Sequence, residues 1–383
     1  MKYLNIDEAI LKESGAFFTA KEISGQPELW MNIFEKVVAE KAEIMSFLDD
    51  VLKKTKKIIL TGAGTSGYIG YSIEGVFQRT NKITTISIPT THLVSHPQDY
   101  FDPKLPTLLV SFARSGNSPE SVAAVKLADK YCDECYHLVI TCDTEGNLAK
   151  YNFKNNSYVF ILPAEANDKS LAMTGSYSGM LLSALLINDI KKIASLREIV
   201  ETLQVYGHKI FGEYLDAIKK VAGLPFKRAV FLGSGPQYGT AMESHLKLQE
   251  LSDGQVICKN DSYLGFRHGP KAVVDGDTLV VYYFSNRKDV FRYERDLVIS
   301  MENGNKPLFQ LGISEGVLDD INIDEKIILS NESKLISEEY LCVSNILLGQ
   351  LLGYYKSLAI GLNPDSPSQS GAISRVVQGV TIY

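Results

Sequence analysis

The sequence predicts an α/β protein of two tandem domains, each with a five-stranded parallel sheet flanked by helices. Short apolar runs of strand length alternate with segments of helix length through most of the 383 residues. One unit of strand, glycine turn and helix occurs twice, as KKIILTGAGTSGYIGYSIEGVF and as KRAVFLGSGPQYGTAMESHLKL. A chain of this length with 45% hydrophobic residues can form two cores. These observations together favour two doubly wound sheets of the flavodoxin-like or Rossmann-like type.

The first 50 residues predict an N-terminal helical arm. Trp30, Ile33, Phe34 and Val37 recur at helical spacing after Pro27. We expect this arm to pack on the first domain as a structural cover. The first domain then spans 51–205 and the second domain 206–383.

Five strand-like runs are expected in each domain. In the first domain they begin at Lys57 and continue at Ile83–Ile88, Thr107–Ser111, His137–Thr141 and Val159–Leu162. In the second they lie at Ala229–Leu232, Val256–Lys259, Thr278–Phe284, Leu308–Ile313 and Lys326–Leu329. Residues 175–222 are predicted to be mostly helical, and a long helix is predicted around Glu338–Ile360. Since no long flexible linker separates the halves, we expect them to pack tightly.

The composition excludes several classes of protein. A net charge of −6 and a pI near 5.6 give no general attraction to nucleic acid or to an anionic membrane, so an anionic ligand needs local donors. Five cysteines are an odd and sparse set, which favours a reducing compartment over a disulfide framework. Cys132-x-x-Cys135 lacks a second ligand pair. The N-terminus does not resemble a signal peptide, so we expect a cytoplasmic protein.

A charged helix face follows the second copy of the repeated unit. The turn Gly233-Ser234-Gly235 leads into a helix predicted to reach about Leu251. Glu243, Lys247 and Glu250 fall at i, i+4 and i+7 and therefore project from one face. We expect the apolar residues Met242, Leu246 and Leu248 to pack elsewhere.

An imidazole follows 18 residues after Glu250. This is His268, in Arg267-His268-Gly269-Pro270. Carboxylates, an ammonium group and an imidazole are the groups that move protons on a sugar. Taken alone, His268 could equally be a structural histidine, and Glu243 and Lys247 could be a solvated helix pair that contributes only about 0.3–0.5 kcal/mol.

A serine-rich loop, SFARSGNSPES, follows a strand of the first domain and opens a helix. Its backbone N–H groups and the hydroxyls of Ser115 and Ser118 converge where the helix dipole favours an anion. Thr65 and Ser66, at the start of the preceding helix, complete a ring of donors. The pattern predicts a phosphate site, and the alternative is a turn that merely caps a helix.

Two other kinds of ligand, a dinucleotide and a metal ion, have partial sequence patterns in the first domain. GAGTSG at residues 62–67 fits the G-x-G-x-x-G spacing of a dinucleotide-binding turn, but Ile83–Ile88 leads into Pro89 where an acidic residue would be needed. His92 and His96 could chelate a metal on a helix, yet no further ligand cluster accompanies them. We therefore expect neither a cofactor nor a metal.

These motifs carry a family resemblance. Glu-x-x-x-Lys-x-x-Glu followed by Arg-His-Gly-Pro resembles the isomerase half of glucosamine-6-phosphate synthase, which is built from two sugar isomerase (SIS) domains. The similarity extends to Gln26-Pro27 and to the serine loop, and so covers most of the chain. ARSGNSPES and the C-terminal SRVVQGVTIY look closest to the AgaS-type branch of tagatose-6-phosphate ketose/aldose isomerases or galactosamine-6-phosphate deaminases.

The resemblance implies how the substrate is held. The serine loop would bind the sugar phosphate, with Ser115 and Ser118 matching a serine and a threonine of the family. Ala113 stands where the family has its first serine, and the adjacent Arg114 would supply charge instead. Residues 168–174 match a loop that closes over the sugar, with Ala172 and Thr174 as contacts.

The resemblance also implies catalytic roles. Glu250 would be the general base that moves a proton from C2 to C1, provided that burial raises its pKa. His268 would open the sugar ring, often from the neighbouring subunit, which implies a homodimer or higher oligomer. Lys247 would stabilise the enediolate oxygen, and Glu243 would orient Lys247. Glu22 and Gln26 would lie near a site.

One departure from the synthase bears on the reaction. The synthase uses a C-terminal lysine to form a Schiff base, whereas Gly361–Tyr383 contains no lysine and offers Arg375. An arginine stays protonated and cannot form that imine, so it would instead hold a hydroxyl or a phosphate. The sequence also carries no cysteine amidohydrolase domain to deliver ammonia.

These features favour deamination or isomerisation over amino-sugar synthesis. We expect conversion of galactosamine 6-phosphate to tagatose 6-phosphate and ammonia, with simple aldose/ketose isomerisation as the alternative. A sugar-phosphate sensor is a second class, because SIS domains also serve as regulatory modules. The acidic pI and the lack of a basic helix-turn-helix before residue 50 count against a sensor.

Overall fold

The computed structural model describes residues 1–318, 320–332, 335–375 and 381–383. The chain forms two compact units that do not follow its linear order. The first-sheet unit comprises Glu28–Asp168, Gly175–Glu201 and Ile373–Tyr383. The second-sheet unit comprises Met1–Pro27, Lys169–Thr174 and Thr202–Ala372. The expected N-terminal arm is therefore divided, since residues 1–27 group with the second sheet and not with the first.

The strands of the described residues are numbered along the chain. They are β1 Lys2–Tyr3, β2 Ile6–Asp7, β3 Lys57–Thr61, β4 Thr84–Ser87, β5 Thr107–Ala113, β6 Cys135–Thr141, β7 Ser157–Ile161, β8 Arg228–Gly233, β9 Ile257–Asp261, β10 Thr278–Tyr283, β11 Phe309–Ser314 and β12 Glu325–Ile328. All ten runs expected from apolar patterning are strands. The β1–β2 hairpin was not expected, and its turn places Leu4 and Asn5 in the left-handed region.

The α-helices are numbered in the same way. They are α1 Glu8–Glu13, α2 Phe17–Ser24, α3 Gln26–Ala39, α4 Lys41–Val51, α5 Thr65–Asn81, α6 Thr90–Ser95, α7 Pro119–Tyr131, α8 Gly175–Asn188, α9 Arg197–Lys209, α10 Leu215–Ala222, α11 Pro236–Leu251, α12 Tyr263–Phe266, α13 Lys288–Ser300 and α14 Glu338–Ala359. A π-helix, Ile210–Tyr214, joins α9 to α10. The helical character predicted for residues 175–222 and for the C-terminal region is confirmed.

Both sheets have the same topology. The first runs β4-β3-β5-β6-β7 and the second β9-β8-β10-β11-β12, with every pair parallel. This is the doubly wound order in which the first and third strands of the unit lie side by side. Each sheet has its own apolar core, one around Leu109 and Val139 and the other around Val230 and Val280. The predicted fold class is thereby confirmed.

The internal repeat extends to backbone geometry. In the first sheet Lys57 pairs with Thr107, and in the second Arg228 occupies the same place opposite Thr278. The turn glycine before the following helix has φ 55° and ψ −127° at Gly64, and φ 51° and ψ −125° at Gly235. Side chains rarely adopt this conformation, so both turns require glycine.

The N-terminal helices are held by a distant residue. Asp365 Oδ1 accepts hydrogen bonds from the backbone N–H and the hydroxyl of Thr19, each at 2.7 Å, and Oδ2 accepts from the N–H of Phe18 at 3.0 Å. These N–H groups belong to the first turn of α2 and have no partner within the helix. A carboxylate from beyond α14 therefore caps a helix near the start of the chain.

Helices α11 and α14 cross at small residues. A Cβ atom added to Gly349 would lie 2.3 Å from Ser244 Oγ and 2.9 Å from its Cα atom. The contact allows α14 to approach the helix that carries Glu243, Lys247 and Glu250. The crossing therefore positions the charged face of α11.

We expect Gly349→Ala to force these helices apart. Overpacking of this kind costs about 1–3 kcal/mol of unfolding free energy, and the shift of α11 should also lower activity. Thermal unfolding and turnover measure the two effects. Gly304→Ala is the matched control, since a Cβ there meets nothing within 4 Å. Unchanged stability in Gly349→Ala would contradict the close crossing.

Within the ranges that the structure describes, no helix is both long enough and apolar enough to cross a membrane. The five cysteines are all free thiols. In the same described ranges, no group of three or more His, Cys, Asp or Glu side chains is arranged to hold a metal ion.

Candidate active site

The serine loop lies at the switch point of the first sheet. Strands β3 and β5 are neighbours, so the turns that follow them meet at one edge of the sheet, where ligands bind in folds of this order. The turn after β3 runs into α5, which begins with Thr65 and Ser66, both buried. The turn after β5 carries Ser115 and Ser118 into α7. The four predicted hydroxyl donors therefore come from adjacent turns.

Helix capping does not account for the serine loop. Ser118 is the N-cap residue of α7, yet within the described part of the chain its hydroxyl makes no capping bond. Ser115 Oγ accepts a long hydrogen bond from the backbone N–H of Asn117 at 3.3 Å. Both side chains are partly exposed. The arrangement leaves hydroxyls and a helix N-terminus available for an anion.

Arg114 and Arg375 link this loop to the C-terminal segment. The buried Arg114 guanidinium donates to the backbone carbonyl of Arg375. Arg375 Nε in turn donates to the backbone carbonyl of Asp168 at 2.9 Å, and its Nη2 donates to Asn167 Oδ1 at 3.0 Å. Both predicted arginines are therefore placed together, and the guanidinium of Arg375 contacts protein groups.

The charged face of α11 is buried. Lys247 Nζ lies 2.5 Å from Glu250 Oε2 and 3.4 Å from Glu243 Oε1. The side chains of Lys247 and Glu243 are 1% and 0% exposed. The alternative of a solvated surface pair is therefore wrong, and the i, i+4 pairing predicted for Glu243 and Lys247 is confirmed. Met242 and Leu246 are only half-buried, so α11 buries its charged face more completely than these apolar residues.

Two opposing effects act on Lys247. Burial lowers its pKa and is the largest single effect, because an ammonium group loses hydration. The nearby carboxylates of Glu243 and Glu250 together outweigh burial and hold the pKa above its ordinary value. Lys247 is thus a fixed positive charge inside the protein.

Glu250 is not the buried glutamate that was expected. Its side chain is 24% exposed, because it lies in the last turn of α11 just before the helix ends at Leu251. One carboxylate oxygen is engaged by Lys247. The site therefore combines a buried cation with a carboxylate that solvent, and hence a substrate, can reach.

His268 is exposed on a turn of the second-sheet unit. The turn lies between α12 and a 3₁₀ turn at Pro270–Val273, and the His268 backbone N–H donates to Gly265 at 3.0 Å. The alternative that His268 is a buried structural histidine is therefore wrong. An exposed imidazole next to a defined turn is suited to reach another molecule.

The loop Lys169–Thr174 belongs to the same unit as α11. Glu22 accepts from the N–H of Lys169 and from the hydroxyl of Ser170, each at 2.5 Å. Ala172 and Thr174, the predicted contacts, are both fully buried. Glu22 thereby acquires a role in positioning this loop.

Two glutamines hold the other end of that loop. Gln350 Nε2 donates to the Thr174 carbonyl at 3.3 Å, and Gln350 Oε1 accepts from Gln26 Nε2 at 2.6 Å. Gln350 was missed because it lies within the long apolar α14. A glutamine within an apolar helix could have been recognised from the sequence, because a buried amide group requires hydrogen-bond partners.

Comparison with known proteins defines the class. Residues 51–187 match the SIS domain model. Over 97% of its length the chain is 40% identical to a D-galactosamine-6-phosphate deaminase AgaS from Shewanella sp. strain ANA-3 and covers 93% of that protein. It is 38% identical to the Escherichia coli protein of the same name, over 96% of this chain and 95% of the relative.

Solved structures agree with this class. The crystal structure of tagatose-6-phosphate ketose/aldose isomerase from Escherichia coli has a TM-score of 0.88 at 34% identity and covers 99% of this chain and 98% of its own. The C-terminal domain of glucosamine-fructose-6-phosphate aminotransferase from Francisella tularensis, at 19% identity and a TM-score of 0.76 over 91% of this chain and 98% of that one, shares the fold. The protein is thus of the two-sheet sugar isomerase class. The chain belongs to the SIS-domain family, in its AgaS branch.

Proposed function

We propose that the protein is an amino-sugar-phosphate deaminase/isomerase that converts galactosamine 6-phosphate to tagatose 6-phosphate and ammonia. The observation that carries this proposal is the buried Lys247 between Glu243 and Glu250, because proton transfer on a sugar needs a base beside a fixed positive charge. The names and full-length similarity of the AgaS relatives support the choice of substrate.

The proposed reaction follows from the order of proton transfers. Glu250 removes the proton from C2 of the open-chain amino aldose and returns it at C1, so that an enolamine becomes a ketimine. Water adds to C2 of the ketimine, and the nitrogen leaves as ammonia to give the ketose. Lys247 stabilises negative charge on the C1 oxygen of the intermediate. No step needs an oxidant or a cofactor.

The remaining residues have proposed roles in binding. Thr65, Ser66, Ser115 and Ser118 bind the phosphate, and Arg114 adds charge to that site. Arg375 supports the loop through Asn167 and Asp168, while Ala172 and Thr174 lie on the loop that closes over the sugar. We propose the bounds 51–205 and 206–383 for the two repeats along the sequence, whereas the compact units assign 169–174 to the second sheet and 373–383 to the first.

We further propose that His268 serves the site of a second copy. Its exposure and its position on a defined turn suit an imidazole that moves a proton between the ring oxygen O5 and O1 in a neighbouring subunit. A homodimer or higher homo-oligomer would then carry its sites at subunit interfaces. The proposed location of this enzyme is the cytoplasm.

Ammonia release from galactosamine 6-phosphate tests the function directly. It is measured beside the isomerisation of galactose 6-phosphate, which would need the same residues but no loss of nitrogen. We expect stoichiometric ammonia and tagatose 6-phosphate from the amino sugar. Turnover of galactose 6-phosphate alone would establish the simple isomerase, which the tagatose-6-phosphate isomerase name of the Escherichia coli structure favours.

The phosphate site gives a separate prediction. Ser115→Ala should raise KM about 10-fold to 100-fold with little change in kcat, because a hydrogen bond to a charged group contributes about 1.5–3 kcal/mol. Ser195→Ala, at an exposed serine of the same unit, is the control and should leave KM unchanged. An unaltered KM in Ser115→Ala would place the phosphate elsewhere.

A further inference from the structure

The second sheet has its own switch point. Strands β8 and β10 are neighbours, as β3 and β5 are in the first sheet. The turn Gly233–Gly235 after β8 therefore meets the loop Phe284–Arg287 after β10, at the place where the first sheet carries the serine loop. The repeat thus reproduces the geometry of a phosphate cradle.

A carboxylate of the protein itself lies at this place. Glu294 Oε2 accepts a hydrogen bond from the backbone N–H of Ser285 at 2.8 Å, and the nearby Ser234 hydroxyl favours the charged form of the same carboxyl group. The N–H group follows the third strand of the unit, and the hydroxyl group follows the first strand. The proposed phosphate site of the first sheet uses the same kinds of group from the same two turns.

Glu294 is an unusual group for a protein interior. Its side chain is fully buried, and within the described residues its Oε1 atom has no hydrogen-bond partner. Its pKa is raised to about 8, because burial and the nearby Glu338 together outweigh the opposite effects of the Ser285 N–H and the Ser234 hydroxyl. A buried carboxyl group with one bare oxygen is costly, so a packing role alone would favour an apolar residue.

The first repeat has an apolar residue at the matching position. Glu294 is the seventh residue of α13, and the seventh residue of α7 is the buried Val125. The loop before α13 is also shorter, Phe284–Arg287 in place of Arg114–Ser118. The glutamate side chain and the shorter loop both fill the space at the second switch point. The corresponding space in the first sheet stays open.

We propose that the switch point of the second sheet is a second anion cradle whose occupant is the side-chain carboxyl group of Glu294. This inference rests on the proposed role of the serine loop as the phosphate site of the first repeat. Its consequence is that each chain binds one phosphorylated sugar, although the fold contains two equivalent positions. Glu338 adds a like charge beside the cradle, so a phosphate that replaced Glu294 would bind more weakly than at the serine loop.

The stoichiometry of inorganic phosphate binding tests the proposal. Glu294→Val, which installs the residue of the first repeat, is compared with wild type and with Glu294→Gln, which keeps an acceptor oxygen for Ser285. Equilibrium dialysis should give one phosphate per chain for wild type and Glu294→Gln, and two for Glu294→Val. Combined with Ser115→Ala and Ser118→Ala, Glu294→Val should retain its weaker site while the stronger one is lost.

The outcomes are distinct. One phosphate per chain in a folded Glu294→Val protein overturns the proposal. If this variant does not fold, Glu294→Ala is measured in the same way, and a single site there also overturns it. Two phosphates per chain in wild type would show that the Glu294 side chain does not occupy the cradle. Because ammonia release is not measured, failure of the proposed reaction leaves this test unaffected.

Discussion

Glu250→Gln is expected to lower kcat by about 100-fold to 10,000-fold, which is the range that a positioned general base contributes. The amide cannot accept the proton from C2, but it preserves the size of the side chain and a contact with Lys247. Binding of the sugar phosphate should therefore change only a few-fold. Steady-state turnover and equilibrium binding of galactosamine 6-phosphate measure the two quantities.

Glu325→Gln is the matched control for this experiment. Glu325 lies on β12, at the opposite edge of the sheet from β9, and its substitution should leave both quantities unchanged. The pair of measurements also separates an enzyme from a sugar-phosphate sensor. A sensor would bind its ligand without turnover in the wild-type chain, and Glu250→Gln would leave its function intact.

Lys247→Met is expected to destabilise the protein by about 3–5 kcal/mol, since it removes the positive charge that is paired with the fully buried Glu243. Turnover should also be lost, because no cation remains to stabilise the intermediate. Denaturant unfolding gives the change in stability, and ammonia release gives the activity.

A double variant separates the two roles of Lys247. Glu243→Gln combined with Lys247→Met removes both buried charges, and much of the lost stability should return, since neutral replacement of a buried ion pair is often tolerated. Turnover should not return. If Lys247→Met unfolds like wild type, the ion pair is not holding α11. If the double variant is active, the catalytic role of Lys247 is wrong.

The centres of the sheets could be predicted because β5, β6 and β10 are buried on both faces and form continuous apolar runs. The repeat of the Gly64 and Gly235 turns was visible because only glycine suits their geometry. The β1–β2 hairpin was missed because its strands are two residues long. No periodicity can be recognised over so short a run.

The sequence predicted which residues form the candidate site better than it predicted how deeply each one is buried. Helical spacing placed Glu243, Lys247 and Glu250 on one face, but it does not say which face is buried. Which face is buried depends on the packing of other elements, such as the close approach of α14 to α11 at Gly349. Glu294 was missed, although it shares the apolar face formed by Val290, Leu297 and Val298, and that placement is the signal that identifies it.

The bonds from Thr19 to Asp365 have a consequence for synthesis of the protein. Helix α2 leaves the ribosome long before the residue that caps it, and the unit to which both belong cannot close until nearly the whole chain is made. At common rates of about 5–20 residues per second, the first segment waits tens of seconds with its apolar surface uncovered. The nascent N-terminus is therefore where chaperone protection would matter most.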